Sequence, residues 1–209
     1  LSRSKHTILL VGRDKEKLEV VANEIKNLGS KAFFGVGNVG DASDIERLCE
    51  KFDLSKGVDV LVANAGVGYF GLLEDMAISQ YDEQFQTNVR GVFLWLRKVL
   101  PIMKQQNSGQ IIVTSSNLGL NTEGRASIYS ATKHAVQAMV SSLRKELFGT
   151  LVKAATINPG SVSTPWFDGK EVDRTKMLTA EDVAKAARLI IDQSDTSNID
   201  HILLTPGVT

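Results

Sequence analysis

A single cysteine in 209 residues excludes a disulfide framework. Cys49 shares a helical face with Ile45, Leu48 and Phe52, which reads it as a packed thiol rather than a reactive one. The three histidines, His6, His134 and His201, are scattered and have no cysteine or carboxylate at ligand spacing, so neither a zinc site nor any structural metal is expected. No apolar run approaches the roughly 20 residues of a bilayer-crossing helix, and no basic region followed by a hydrophobic stretch opens the chain. The cytoplasm is the default expectation. Neither sign of charge is in excess: 24 Lys and Arg balance 24 Asp and Glu, interspersed along the chain. Nothing here gives the electrostatic footprint of a nucleic-acid or membrane-surface binder. Small-molecule partners are favoured.

What is present is ample core, with 43% apolar residues. The length predicts one domain over residues 1–209. Short β-rich runs occur at 7–12 (TILLVG), 31–36 (KAFFGV), 58–63 (VDVLVA), 110–115 (QIIVTS), 152–157 (VKAATI) and 201–205 (HILLT). Between them lie longer stretches of helical period, the alternation of an α/β fold with a parallel sheet covered on both faces. Leu18, Val21, Ala22, Ile25 and Leu28 mark one amphipathic helix, with Gly29 placed to end it. Ser43 and Glu46 predict a capping box before a stripe of Ile45, Leu48, Cys49 and Phe52. Pro101 predicts a kink or break near Leu100 in the long segment from Ser79 to Gln106. Thr179 and Asp182 predict the start of a helix ending near Gln193. The residues from Leu1 to His6 read as the last turn of a helix.

The stretch GVGNVG at 35–40 has the G-x-G-x-x-G spacing of a dinucleotide turn, but its context is wrong. The strand that follows ends in Ala63 and Asn64 where an acid should receive the ribose. Asp59 lies at the opposite end. Asp41, just after the motif, would repel a pyrophosphate at the helix amino terminus. The motif therefore reads as a strand leaving the sheet through a turn.

YSATK carries a stronger signal. Tyr129 and Lys133, four apart, share one helix face, about 5–6 Å apart at the β-carbons. Ser116, thirteen residues earlier, stands at the carboxyl end of a strand, where open α/β sheets hold their ligands. Each alone has an ordinary reading: a cap, an amphipathic packer and a solvated charge.

In these motifs the chain resembles the short-chain dehydrogenase/reductase family along its whole length. The family's N-A-G turn is Asn64, Ala65 and Gly66. Its mid-helix asparagine is Asn88, and its serine, tyrosine and lysine are Ser116, Tyr129 and Lys133. Its P-G-x-V-x-T turn is Pro159, Gly160, Val162 and Thr164. The resemblance implies a Rossmann-type doubly wound parallel sheet, ordered 3-2-1-4-5-6 with one more edge strand, and hydride transfer between a nicotinamide cofactor and an alcohol or carbonyl. Tyr129 would be the acid/base, its pKa lowered by Lys133 and the nicotinamide. Ser116 would bind the substrate oxygen, and Asn88 would hold a water linking Lys133 to solvent.

The resemblance also places Asn38 and Val39 against the adenine, with Asn38 in place of the usual aspartate. Gly12 occupies the site of the acid common in NAD enzymes. Arg13 beside it suits a 2′-phosphate, so NADP is expected rather than NAD. Homodimer or homotetramer formation is implied through helices carrying Phe93, Leu96, Met139 and Val140, although such a stripe can equally be core. Trp166, Phe167, Leu118 and Tyr69 are candidate substrate contacts. The family's first strand and its T-G-x-x-x-G-x-G turn have no counterpart in the sequence. Either they lie upstream of Leu1, or this is an amino-terminally truncated form. The alternative function is therefore a non-catalytic relative serving as an oligomeric scaffold or regulatory protein.

Overall fold

A computed structural model describes residues 6–169 and 171–207. The helix tail expected at the amino end falls, apart from His6, outside them. The elements alternate in chain order: β1 (Thr7–Gly12), α1 (Lys15–Asn27), β2 (Lys31–Val36), α2 (Ala42–Phe52), β3 (Val60–Ala63), α3 (Ile78–Phe85), α4 (Gly91–Gln106), β4 (Gly109–Thr114), α5 (Ser127–Glu146), β5 (Val152–Pro159), α6 (Ala180–Ile191) and β6 (His201–Leu204). The six predicted strands are all present, most within a residue or two of their expected ends.

Every ladder is parallel. β1 pairs with β2, and β3, β4, β5 and β6 pair in that order as a second sheet. β1 and β3 share no ladder, so the expected order holds on each side of the place where the family's first strand would lie. In β4, Ile111, Ile112 and Val113 are all fully buried. Such a continuous apolar run, rather than alternation, is required when both faces of a sheet are covered. Ile111 and Val113 pack with Val99 and Met103 of α4 and Val136 and Val140 of α5. Ile112 and Ile157 pack on the other face with Ala186 and Ile190 of α6. β1 has no fully buried residue, and α1 buries only Ala22.

Three expectations change. The α2 cap is Asp41, not Ser43: its carboxylate accepts from the amides of Ser43 at 2.8 Å and Asp44 at 3.2 Å. An ionised oxygen directly before the first helical residue is the better acceptor. Glu46 pairs with Lys98 instead. Nor does the chain break near Leu100, since α4 runs through Pro101 to Gln106. Val99 and Met103 are buried on either side of the proline, and this packing outweighs one lost backbone hydrogen bond. The irregular segment is instead a π-helical turn at Gln86–Arg90. Finally, the stripe read as an assembly face divides: Leu96 and Val140 belong to the core, whereas Phe93 is 49% exposed.

Two expectations hold. Thr179 and Asp182 form a reciprocal capping box at the start of α6. The Cys49 thiol is half-buried and its pKa is pushed up by that burial, as suits a packed residue.

Candidate active site

Parallel strands deliver their carboxyl ends to one rim. There the chain leaves β3 through Asn64, Ala65 and Gly66, β4 through Ser115 and Ser116, and β5 through Pro159 and Gly160. α5 starts beside this rim with Tyr129 in its first turn and Lys133 one turn on. Ser115 Oγ donates to the Lys133 carbonyl at 3.1 Å, tying the helix to β4.

The Lys133 ammonium is buried, donates to the Thr114 carbonyl at 3.0 Å and lies 5.6 Å from the centroid of the Tyr129 ring. Burial pulls its pKa down to about 8. In the protein alone the Tyr129 phenol is shifted up, contrary to the expected lowering. Burial raises it, and a hydrogen bond with Ser116 only partly opposes that. Ser116 Oγ accepts from the Leu118 amide at 3.1 Å, as the cap of a one-turn helix at Asn117–Gly119, and sits 3.5 Å from the Pro159 carbonyl. Ser116, Tyr129 and Lys133 are thus brought together.

Asn88 sits in the π-helical turn. Its side-chain oxygen accepts from the Val67 amide at 2.8 Å, and its NH2 donates to the Val67 carbonyl at 2.8 Å and to Thr132 Oγ1 at 3.0 Å. Thr132 in turn donates to the Tyr129 carbonyl at 2.8 Å. Asn88 therefore clamps the strand-exit loop to the turn that carries Tyr129. Thr132 lies inside the YSATK motif, and its position between Tyr129 and Lys133 is the sequence signal for this role.

The residues expected at the cofactor are spread along the same rim. Asn64 accepts from Thr114 Oγ1 at 3.0 Å. A side chain at Gly66 would meet both Asn88 Oδ1 and Lys133 Nζ, so Ala65 and Gly66 pass directly over the polar cluster. The Gly160 amide donates to the Leu204 carbonyl at 2.8 Å, Val162 bridges to Leu178, and Thr164 donates to the Val162 carbonyl at 3.3 Å. Asn38 Oδ1 accepts from the Gly40 amide at 3.0 Å, and Val39 is packed on Gly91.

Arg13, at the end of β1, is paired with Glu83 of α3 at 3.2 Å, and Tyr69 donates to the same carboxylate at 2.6 Å. Both contacts hold the Glu83 carboxyl below its usual range, the tyrosine bond more than the arginine. Glu83 is 70 positions from Arg13, and nothing in the sequence couples the two.

The glycines of GVGNVG serve packing. A side chain at Gly35 or Gly37 would strike Leu48, and one at Gly40 would come within 2.7 Å of the Gln86 carbonyl.

These residues fit the nicotinamide end of a dinucleotide, where the buried ammonium and the phenol could face a ribose and a reacting carbon. α1 and α2 begin on Asp14 and Asp41, ordinary N-caps whose carboxylates accept the Lys17 amide and the Ser43 and Asp44 amides.

The chain is similar in sequence and fold to known proteins. The family model for short chain dehydrogenase matches residues 1–175. An uncharacterized oxidoreductase of Staphylococcus epidermidis is 30% identical over 207 residues, covering 99% of this chain and 89% of its own. An alcohol dehydrogenase of the archaeon Thermococcus sibiricus, solved with 5-hydroxy-NADP, matches with a TM-score of 0.91 at 26% identity, over all of this chain and 89% of that one. A metagenomic short-chain oxidoreductase solved with NADP matches at 0.83 and 28% identity, over 97% of this chain and 86% of that one. With a serine, tyrosine and lysine gathered at the carboxyl rim of a parallel sheet, and a family model that spans most of its length, the chain belongs to the short-chain dehydrogenase family.

Proposed function

We propose that the protein is an NADP-dependent oxidoreductase that interconverts an alcohol and a carbonyl compound. The observation that carries this reading is the convergence of Tyr129, Lys133 and Ser116 at the strand ends, with the ammonium buried beneath the phenol. The bound nicotinamide would supply or accept the hydride. Tyr129, Lys133, Asn64 and the turn from Pro159 through Gly160 and Val162 to Thr164 would hold that end of the cofactor. Ala65 and Gly66 would pass beside the same end, and Asn38 and Val39 would lie against the adenine.

Tyr129 donates a proton from Oη to the substrate oxygen in reduction and takes it back in oxidation. Burial keeps the phenol protonated at neutral pH, as the acid step needs. Lys133 supplies a positive charge below the ring that favours the phenolate as the proton leaves. Ser116 donates a hydrogen bond to the substrate oxygen as charge grows there. The Asn88 NH2 is spent on Val67 and Thr132, so it orients the Tyr129 turn, while its Oδ1 accepts one bond from the Val67 amide and keeps a lone pair for a water leading to Lys133.

Tyr129→Phe is expected to abolish NADPH-linked carbonyl reduction, read as absorbance loss, while NADPH still binds. Full turnover in that variant removes Tyr129 from the mechanism. The choice of NADP rests on Arg13, and on the NADP compounds bound in the two solved relatives.

The pairing of Arg13 with Glu83 favours a second reading, a non-catalytic scaffold. NADPH at 100 times its dissociation constant should stabilise a cofactor-binding protein by ~2.7 kcal/mol. The absence of any thermal shift would select the scaffold.

A further inference from the structure

We infer that the site selects carbonyl compounds bearing an aromatic or similarly flat apolar group next to the carbonyl, and that Phe70 and Trp166 determine this choice. The inference rests on the oxidoreductase reading. Two rings lie against the ring of Tyr129: Phe70 at 5.3 Å between centroids, tilted by 46°, and Trp166 at 6.1 Å, edge-on at 63°. They come from different loops, Phe70 from the exit of β3 and Trp166 from the one-turn helix at Pro165–Phe167.

Gly68 permits the arrangement. A β-carbon there would come within 2.6 Å of Trp166 Cζ2 and 2.9 Å of Tyr129 Cδ2, so the bare backbone packs between the two rings. Phe70 is about half exposed, leaving ring surface for a ligand. In the adjoining loop Arg174 donates to Asp168 at 2.7 Å, which neutralises the charge next to Phe167 in the chain. Glu83, beside the β3 exit, is held by Tyr69 and Arg13.

A group entering toward the Tyr129 hydroxyl therefore meets aromatic faces and edges. Aromatic pairs in offset or edge-on geometry attract beyond their buried area, and the gain is open to a flat π-system and not to a linear alkyl chain. Phe70 and Trp166 act on the substituent, and the proton chemistry stays with Tyr129.

The test compares acetophenone with 2-octanone, which has the same number of carbons but no ring. In a Trp95→Phe background Trp166 is the remaining tryptophan, and its fluorescence reports binding without turnover. Acetophenone should quench it saturably, and at least roughly tenfold more tightly than 2-octanone. Phe70→Ala should remove that difference. In NADPH-linked turnover, Trp166→Ala should lower kcat/KM for acetophenone roughly tenfold and for 2-octanone less than about twofold. Trp166→Phe should largely restore selectivity.

Equal binding of the two ketones, or no saturable quenching by acetophenone, overturns the inference whatever the turnover assay shows. Reduction of neither ketone alongside ring-selective binding counts against the oxidoreductase reading and leaves the aromatic site standing.

Discussion

An ammonium group removed from water loses hydration that one backbone carbonyl does not replace, and Lys133, with Thr114 as its acceptor, shows the result in a pKa of about 8. The unfolded chain holds this proton up to about 10.5, and the folded protein releases it near 8. Between those values the unfolded state binds more protons, so raising the pH favours folding. The penalty is present in full below about 8 and is relieved toward 10.5. It amounts to something on the order of 3 kcal/mol. Lys133→Met should therefore be more stable than the wild type at pH 7, with the gap narrowing by pH 10 in urea unfolding. A gap that widens with pH would contradict the assignment.

Arg13 presents the opposite case of an exposed charge. Its pair with Glu83 is a surface contact worth about 0–1 kcal/mol, and a 2′-phosphate would have to compete with it. Glu83→Gln should tighten NADPH binding roughly two- to fivefold while leaving NADH nearly unchanged. An unchanged ratio of the two dissociation constants would show that Arg13 does not read the phosphate.

Element by element, the strands follow from continuous apolar runs, and their ladders place the rim. The irregular pieces depend on contacts between elements. The π-helical turn at Gln86–Arg90 carries Asn88 inward, and its outer side is approached so closely by Gly40 that a methyl group would lie 2.7 Å from the Gln86 carbonyl. A backbone carbonyl cannot swing aside as a side chain can. Gly40→Ala should cost about 1–3 kcal/mol of stability, measured as a lower urea midpoint. No loss would mean that the loop and the turn are free to separate. The spacing of GVGNVG was visible in the sequence, but its use in packing was not, because Gly40 and Gln86 meet only when α2 and the π-helical turn are in place.

At the scale of the molecule, β4 and β5 are covered on both faces, whereas Val62 of β3, Leu203 of β6 and much of the apolar surface of β1 and α1 stay exposed. No described helix is long and apolar enough to cross a membrane. Phe93, with Phe85, Val89 and Met139 and the polar Asp82, Gln86 and Arg90, lines an open groove on α3, α4 and α5. We propose that this groove is the contact of a homodimer or homotetramer, because its exposed aromatic ring, with Asp82 and Arg90 of opposite charge beside it, can pair with the same face of a second copy. Phe93→Glu should lower the mass seen by light scattering to that of one chain. An unchanged mass would place any assembly elsewhere.

The identities and order of Asn64, Asn88, Ser116, Tyr129 and Lys133, together with the six apolar strand runs, were legible from the sequence alone. Strand period, turn chemistry and four-residue helical spacing are local properties. Only the tertiary structure decided that Glu83 neutralises Arg13, that Asn88 spends its NH2 on Val67 and Thr132, and that Phe70 and Trp166 meet at Tyr129. Each of these joins residues far apart in the chain, and what each group does follows from burial and partners that exist only once the sheet has assembled them.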